Sequence, residues 1–311
     1  MNTAFLCTGQ GSQYVGMLKD LVDKYANIAD LINECDEILG YPLSNICFEG
    51  PIDRLKETRY TQPALFIHSA VLYSLIKNHI QVDAVAGHSV GEYAALYIAG
   101  ALELEDALNL VSLRGQLMYS IGSEIEGTMF AVIGLEDEKV IKICEELNKD
   151  SNIVVPANFN APGQIVVSGS AEYLRQNVNV FKEAGARMVK ELVVSGAFHS
   201  PFMETAQQQL TAAIDATNFV DAKLPIYSNV YAKPLTKAED LRDALTKQLT
   251  SPVQWKQLIV NMHQDGINKF IELGPGKVLQ GLVKRIVDDV EVLGVDTAED
   301  VEGILKNESA K

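Results

Sequence analysis

Short apolar runs alternate with longer stretches of helical spacing along this chain of 311 residues, and their order predicts a fold class. Residues 3–7 read as a buried strand, 31–39 as part of a helix, and 63–76 as a further apolar stretch. A short strand at 82–85 then meets a helix over 92–101. That alternation is the mark of an α/β domain. From about Gly127 the pattern changes: a strand at 129–133, a helix with Val140, Cys144 and Leu147 on one face, strands at 153–155 and 165–167, a helix near 173–183 and a strand at 187–194. This β-α-β-β-α-β order is ferredoxin-like. The predicted division is therefore a larger α/β domain formed by 1–125 and 197–311, with 126–196 as an inserted subdomain. Gly122 and Gly127 bound the insertion on one side and Ser195-Gly196 on the other. Beyond it the first pattern resumes, with a strand at 225–228, Thr236-Lys237-Ala238-Glu239 as a capping box opening a helix, and a strand at 270–273 running into Gly274-Pro275-Gly276.

Composition narrows the function classes. A hydrophobic content of 47% supports a substantial core, and 26 basic against 41 acidic residues leave a net charge of −15. Nucleic acid and anionic membrane surfaces are poor partners for such a chain. Cys7, Cys35, Cys47 and Cys144 have no paired short spacing, so no zinc knuckle or redox C-x-x-C motif is present. The N-terminus lacks a basic, apolar leader pattern and no run is long enough to span a membrane, so a cytoplasmic location is expected.

The candidate chemistry centres on Gly87-His88-Ser89-Val90-Gly91, a G-x-S-x-G pattern at a predicted strand-to-helix turn. At such an elbow the serine hydroxyl is exposed at a helix N-terminus, and the Val90 amide points where a tetrahedral oxyanion forms. Serine needs a base. Of the five histidines, His68, His79 and His263 fit structural positions, and His88 adjoins the serine on a turn where neighbouring side chains diverge. His199, in Gly196-Ala197-Phe198-His199-Ser200-Pro201, is the candidate, the alternative being a buried loop or capping histidine. Arg114 adds a second feature. On a helix over 104–118 it lies opposite the polar stripe Asn109, Ser112 and Gln116, so its guanidinium is directed inward. A buried arginine requires an anion, either an internal carboxylate or one carried by a ligand. Gly9-Gln10-Gly11 and Gly276-Lys277 lack the remaining residues of dinucleotide and P-loop motifs.

Taken together, these segments resemble the malonyl-CoA:acyl carrier protein transacylases of bacterial fatty acid synthesis. The resemblance runs through Thr8-Gly9-Gln10-Gly11-Ser12-Gln13, Tyr60-Thr61-Gln62-Pro63-Ala64-Leu65, the elbow to Tyr93, Arg114-Gly115, the run from Ala157 to Gln164, the His199 segment, Pro252-Val253-Gln254-Trp255 and Glu272-Leu273-Gly274-Pro275-Gly276. It implies a hydrolase-like parallel-sheet domain with the inserted ferredoxin-like subdomain. By motif it makes Ser89 the nucleophile, His199 the base, Arg114 the clamp for the malonyl carboxylate, and Gln10 the partner of Val90 in the oxyanion hole. Gln62 would line the acyl pocket, Phe198 would restrict α-substituents, and the Gln248 carbonyl would orient the histidine in place of an acid. The partners implied are malonyl-CoA and acyl carrier protein, with CoA thioester as substrate and no metal or redox cofactor. One departure is Thr8, where the family usually has proline, which is expected to loosen the loop. Carrier proteins of this kind are acidic, so the densest basic candidates, Lys284 and Arg285 with Lys277 nearby and Lys190 opposite, are expected at the docking surface. Three rivals remain: a discrete polyketide-type acyltransferase, a serine thioesterase or esterase, and a non-catalytic carrier-protein docking module.

Overall fold

A computed structural model describes residues 2–149 and 152–309. Among the described residues ten strands form two sheets: β1 (Asn2–Cys7), β2 (Ala84–Gly87), β3 (Gly127–Ile133), β4 (Val154–Ala161), β5 (Gln164–Ser170), β6 (Met188–Glu191), β7 (Ile226–Tyr227), β8 (Pro234–Leu235), β9 (Ile267–Leu273) and β10 (Glu291–Val295). The larger sheet has the order β10-β9-β1-β2-β7-β8, parallel except for β8. The nearly continuous apolar sequence of β1 follows from its central place, because helices cover both faces. Alternate residues serve opposite layers: Phe5 and Cys7 join one core with Val85, Ile271 and Val295, while Ala4 and Leu6 join the other with Ala86, Phe270 and Trp255. The register aligns Cys7 with both Gly87 and Leu273, so three strands end together. In an open parallel sheet the crevice beyond those carboxyl ends is the natural site.

The smaller sheet is antiparallel, in the order β4-β5-β3-β6 with its own core, including Val132, Val140, Ile165, Leu174 and Phe181. Its entry and exit run side by side. A Cβ on Gly122 would sit 1.9 Å from the Ser195 carbonyl oxygen, so only glycine permits that crossing.

Several sequence expectations need adjustment. The strand expected at 82–85 is β2, two residues later, because Asp83 is used to accept the Thr3 amide at 2.8 Å. The helix expected near 173–183 is two, Ala171–Asn177 and Asn179–Glu183; the Asn177 side chain donates to the Tyr173 carbonyl at 2.9 Å at the joint. The strand expected at 187–194 ends at Glu191: the Leu192 amide still donates to the Met129 carbonyl at 2.9 Å, but the chain then turns, the Val194 amide donating to the Leu192 carbonyl at 3.1 Å, and residues 192–194 line a cavity. The capping box does not form. Helix Ala238–Gln248 starts after Lys237, and its first amide donates to Asp221 Oδ1 at 2.9 Å, an ionised acceptor that displaces the Thr236 hydroxyl from that role. The Thr8 amide donates to the Leu273 carbonyl at 3.4 Å, extending the β1–β9 pairing in a way proline cannot. No helix among the described residues is long and apolar enough to cross a membrane.

Candidate active site

Ser89 sits at the tip of the turn between β2 and helix Gly91–Ile98 with φ +52°, a left-handed conformation costly for serine. Both flanking glycines are forced. A Cβ on Gly87 would lie 1.9 Å from the Gly91 carbonyl carbon, and one on Gly91 2.3 Å from the Cys7 oxygen. Asn229 pins the turn from the loop after β7, its Oδ1 accepting the Ser89 amide at 2.7 Å and its Nδ2 donating to the Gly87 carbonyl at 2.7 Å.

His199 approaches from the loop preceding the 3-10 turn Pro201–Met203, also at a positive φ of 55°. Its Nε2 lies 2.8 Å from Ser89 Oγ, while Nδ1 faces the carbonyl oxygens of Gln248 at 3.0 Å and Ser251 at 3.1 Å. Two acceptors at Nδ1 require the proton there, which leaves Nε2 free to accept from the serine hydroxyl. Those carbonyls come from the end of helix Ala238–Gln248 and the turn beyond it, where backbone oxygens lack intrahelical donors. Burial, and then the Arg114 charge, push the His199 pKa down to about 3. The imidazole is therefore neutral at ordinary pH.

Arg114, on helix Leu104–Glu124, is 1% exposed. Its Nη1 donates to Gln62 Oε1 at 2.6 Å, and Nη2 donates to Gln248 Oε1 at 3.0 Å and to Ser89 Oγ at 3.1 Å. The Tyr93 ring stands 5.7 Å away. Among the described residues it has no carboxylate partner within 4.0 Å, and its Nε has no acceptor. Of the two anions the sequence left open for Arg114, an internal carboxylate is not in contact. Gln62 is not on the pocket wall as expected. It lies behind Arg114, because its amide is fully used by Arg114, Thr58 Oγ1 and Met118 Sδ.

A cavity of about 470 Å³ opens over the dyad, walled by Gln10, Met118, Asn158, Asn160, Val194 and Phe198, with Lys56 at its rim. The amides of Gln10 and Val90 have no acceptor among the described residues, as an oxyanion site requires. His88 points away from Ser89, its Nε2 2.8 Å from Asn160 Oδ1 and its ring against Trp255. His68 is buried in helix Thr58–Ile76 against the Asp296 carbonyl. His79 is exposed and His263 half-buried, neither near the serine. Lys190, Lys277, Lys284 and Arg285 are exposed but outside the cavity wall, and Arg285 donates to Gln164 Oε1 at 2.5 Å. No group of three or more potential metal ligands occurs among the described residues.

Sequence reasoning missed Asn229, Ser251, Lys56 and the side chains of Gln248 and Glu92. A signal existed for Glu92, a carboxylate in the otherwise apolar helix Gly91–Ile98. For Asn229 the only signal was its place just past a strand of the parallel sheet.

A serine–histidine pair at the carboxyl end of a parallel sheet, with an inserted antiparallel sheet over it, defines the class: residues 4–308 match the acyl transferase domain family. The chain is 40% identical over 306 residues to a malonyl CoA-acyl carrier protein transacylase of Staphylococcus aureus, covering 98% of this chain and 99% of the relative. It superposes on an acyl carrier protein S-malonyltransferase of Vibrio cholerae with a TM-score of 0.93 and 38% identity, covering 98% of this chain and 100% of the other. A malonyl-transacylase solved in complex with a type II PKS acyl-carrier protein gives a TM-score of 0.94 at 35% identity, covering 99% and 100%. The chain belongs to the malonyl CoA-acyl carrier protein transacylase family.

Proposed function

We propose that the protein transfers a malonyl group from malonyl-CoA to the phosphopantetheine thiol of acyl carrier protein through an acyl-enzyme at Ser89. The observation that carries this reading is a serine–histidine dyad 2.8 Å apart whose serine also touches a buried guanidinium that has no carboxylate in contact among the described residues. An esterase has no use for that charge, and a docking module has no use for the dyad.

In the first half-reaction Ser89 Oγ attacks the thioester carbonyl as its proton passes to His199 Nε2, and the resulting oxyanion lies between the Gln10 and Val90 amides. Each such donor contributes about 3 kcal/mol in hydrolase precedents. The intermediate collapses as the C–S bond breaks, and the CoA sulfur takes the proton from His199. The carrier thiol then repeats these steps in reverse, giving its proton to His199 and taking the malonyl group. Arg114 serves two purposes. Its fork donates to the malonyl carboxylate, and that carboxylate offsets the positive charge that, after burial, depresses the His199 pKa. The base thus strengthens when an acidic acyl group is bound. Phe198 on the cavity wall limits room at the α carbon. We place the reaction in the cytoplasm, where the four buried free cysteines stay reduced. The likeness to a transacylase bound to a PKS carrier protein leaves a polyketide carrier as the second reading of the acceptor.

Brief exposure to malonyl-CoA alone is expected to add one malonyl group to the intact protein by mass spectrometry, and Ser89→Ala to abolish it. An adduct that persists in Ser89→Ala overturns the assignment.

A further inference from the structure

Glu92 is a buried acid that the transfer steps do not use: it is 3% exposed and lies about one helical turn from the serine. Its Oε2 accepts from Gln248 Nε2, and its Oε1 accepts the Asn229 amide at 3.3 Å. The same Gln248 amide donates to the Ser89 carbonyl at 3.0 Å and, through Oε1, accepts from Arg114 Nη2 at 3.0 Å. Only one orientation of this amide satisfies all three neighbours, two acceptors on its nitrogen and one donor on its oxygen. Gln248 therefore stands between a buried acid and a buried guanidinium that are close enough to attract each other. Gln62 repeats the device on the other side, offering Arg114 a second neutral oxygen.

We propose that the Gln248 side chain is a positioning residue for acyl selectivity, keeping Arg114 apart from Glu92 so that the guanidinium stays available to a substrate carboxylate. Amide oxygens hold the fork in place without cancelling its charge, whereas a carboxylate in contact would occupy it and compete with the incoming malonyl group. The assigned role of Gln248 lies in its backbone carbonyl, which any residue at this position retains. The side-chain role is separable from it. This inference rests on the malonyl-transfer reading.

The test compares acylation rates from malonyl-CoA and acetyl-CoA on one preparation of each protein, by intact mass, so that a loss of folded fraction cancels in the ratio. Gln248→Met removes the spacer and lets Glu92 reach Arg114; the malonyl-to-acetyl ratio is expected to fall about 10- to 100-fold, the range of a close charge-pair coupling. Gln248→Glu, which supplies a carboxylate directly, should lower the ratio in the same direction. The decisive variant is Glu92→Gln combined with Gln248→Met. Removing the competing acid should restore the ratio to within a few-fold of the wild type, although two mutations are now present. An unchanged ratio in Gln248→Met, or no recovery in the double variant, overturns the inference. A wild type that accepts acetyl as readily as malonyl would instead overturn the function itself.

Discussion

At the residue scale, selectivity turns on what surrounds one guanidinium. Excluding one extra methyl by pocket size yields only about 1–3 kcal/mol. A buried charge deprived of its partner costs about 2–5 kcal/mol. Arg114→Ala is therefore expected to slow malonyl transfer on the order of 100-fold or more while sparing or raising acetyl transfer, because the acetyl group never satisfied the charge. Arg114→Lys should recover only part of the malonyl rate, since an ammonium cannot span Gln62, Gln248 and a carboxylate in one plane. Parallel losses with the two thioesters would make Arg114 purely structural. The inward direction of Arg114 was legible from helical spacing alone. Its freedom from carboxylates was not, because that depends on Gln62, Gln248 and Glu92, brought together from positions far apart in the chain.

At the scale of elements, the sequence revealed strands better than their limits. β1, β3, β5 and β9 stand where apolar runs predict them, since burial on both faces or strict alternation leaves few other conformations. The misplaced boundaries trace to polar contacts that the apolar pattern does not show: Asp221 from a distant loop at a helix start, the Asn177 side chain turned back on its own helix, and a tight turn in which the Val194 amide donates to the Leu192 carbonyl at 3.1 Å. Helix Val278–Ile286 illustrates how a surface element combines two tasks. Arg285 is engaged with Gln164 at the start of β5, so it ties the helix to the smaller sheet. Lys277 and Lys284 lie two turns apart on one side, exposed and without an ion pair among the described residues. They are the cleaner pair with which to probe docking of an acidic carrier. Lys277→Glu with Lys284→Glu is expected to raise the KM for carrier protein about tenfold at low salt, with acylation by malonyl-CoA unchanged and the effect shrinking as salt rises. Steady-state kinetics with each substrate varied in turn will check this, and equal effects on both half-reactions would place docking elsewhere.

At the scale of the whole molecule, buried ionisable groups in and near the site link stability to pH in opposing directions. His199 titrates near 3 in the folded protein against 6.5 when exposed, and burial lowers His68 and His88 as well. Below pH 6.5 the unfolded chain takes up protons that these folded rings refuse, so each drains stability as pH falls towards its folded value. Glu92 acts in the other sense. Burial raises it to about 7 from 4.5, partly offset by Gln248, Asn229 and Arg114. Between pH 4.5 and 7 the folded carboxyl keeps a proton that the unfolded one has lost, so its contribution drains stability as pH rises. Over 4.5 to 6.5 the acid thus masks the slope of about one histidine. Glu92→Gln removes the mask. Relative to the wild type, its unfolding free energy should climb by up to about 1.4 kcal/mol per pH unit within that window, whatever the constant offset from the altered hydrogen bonds. Urea unfolding at several pH values between 4.5 and 7 will measure the difference. Parallel curves would mean that Glu92 is already ionised at the acid end, held so by the Gln248 amide and the Asn229 backbone that it faces.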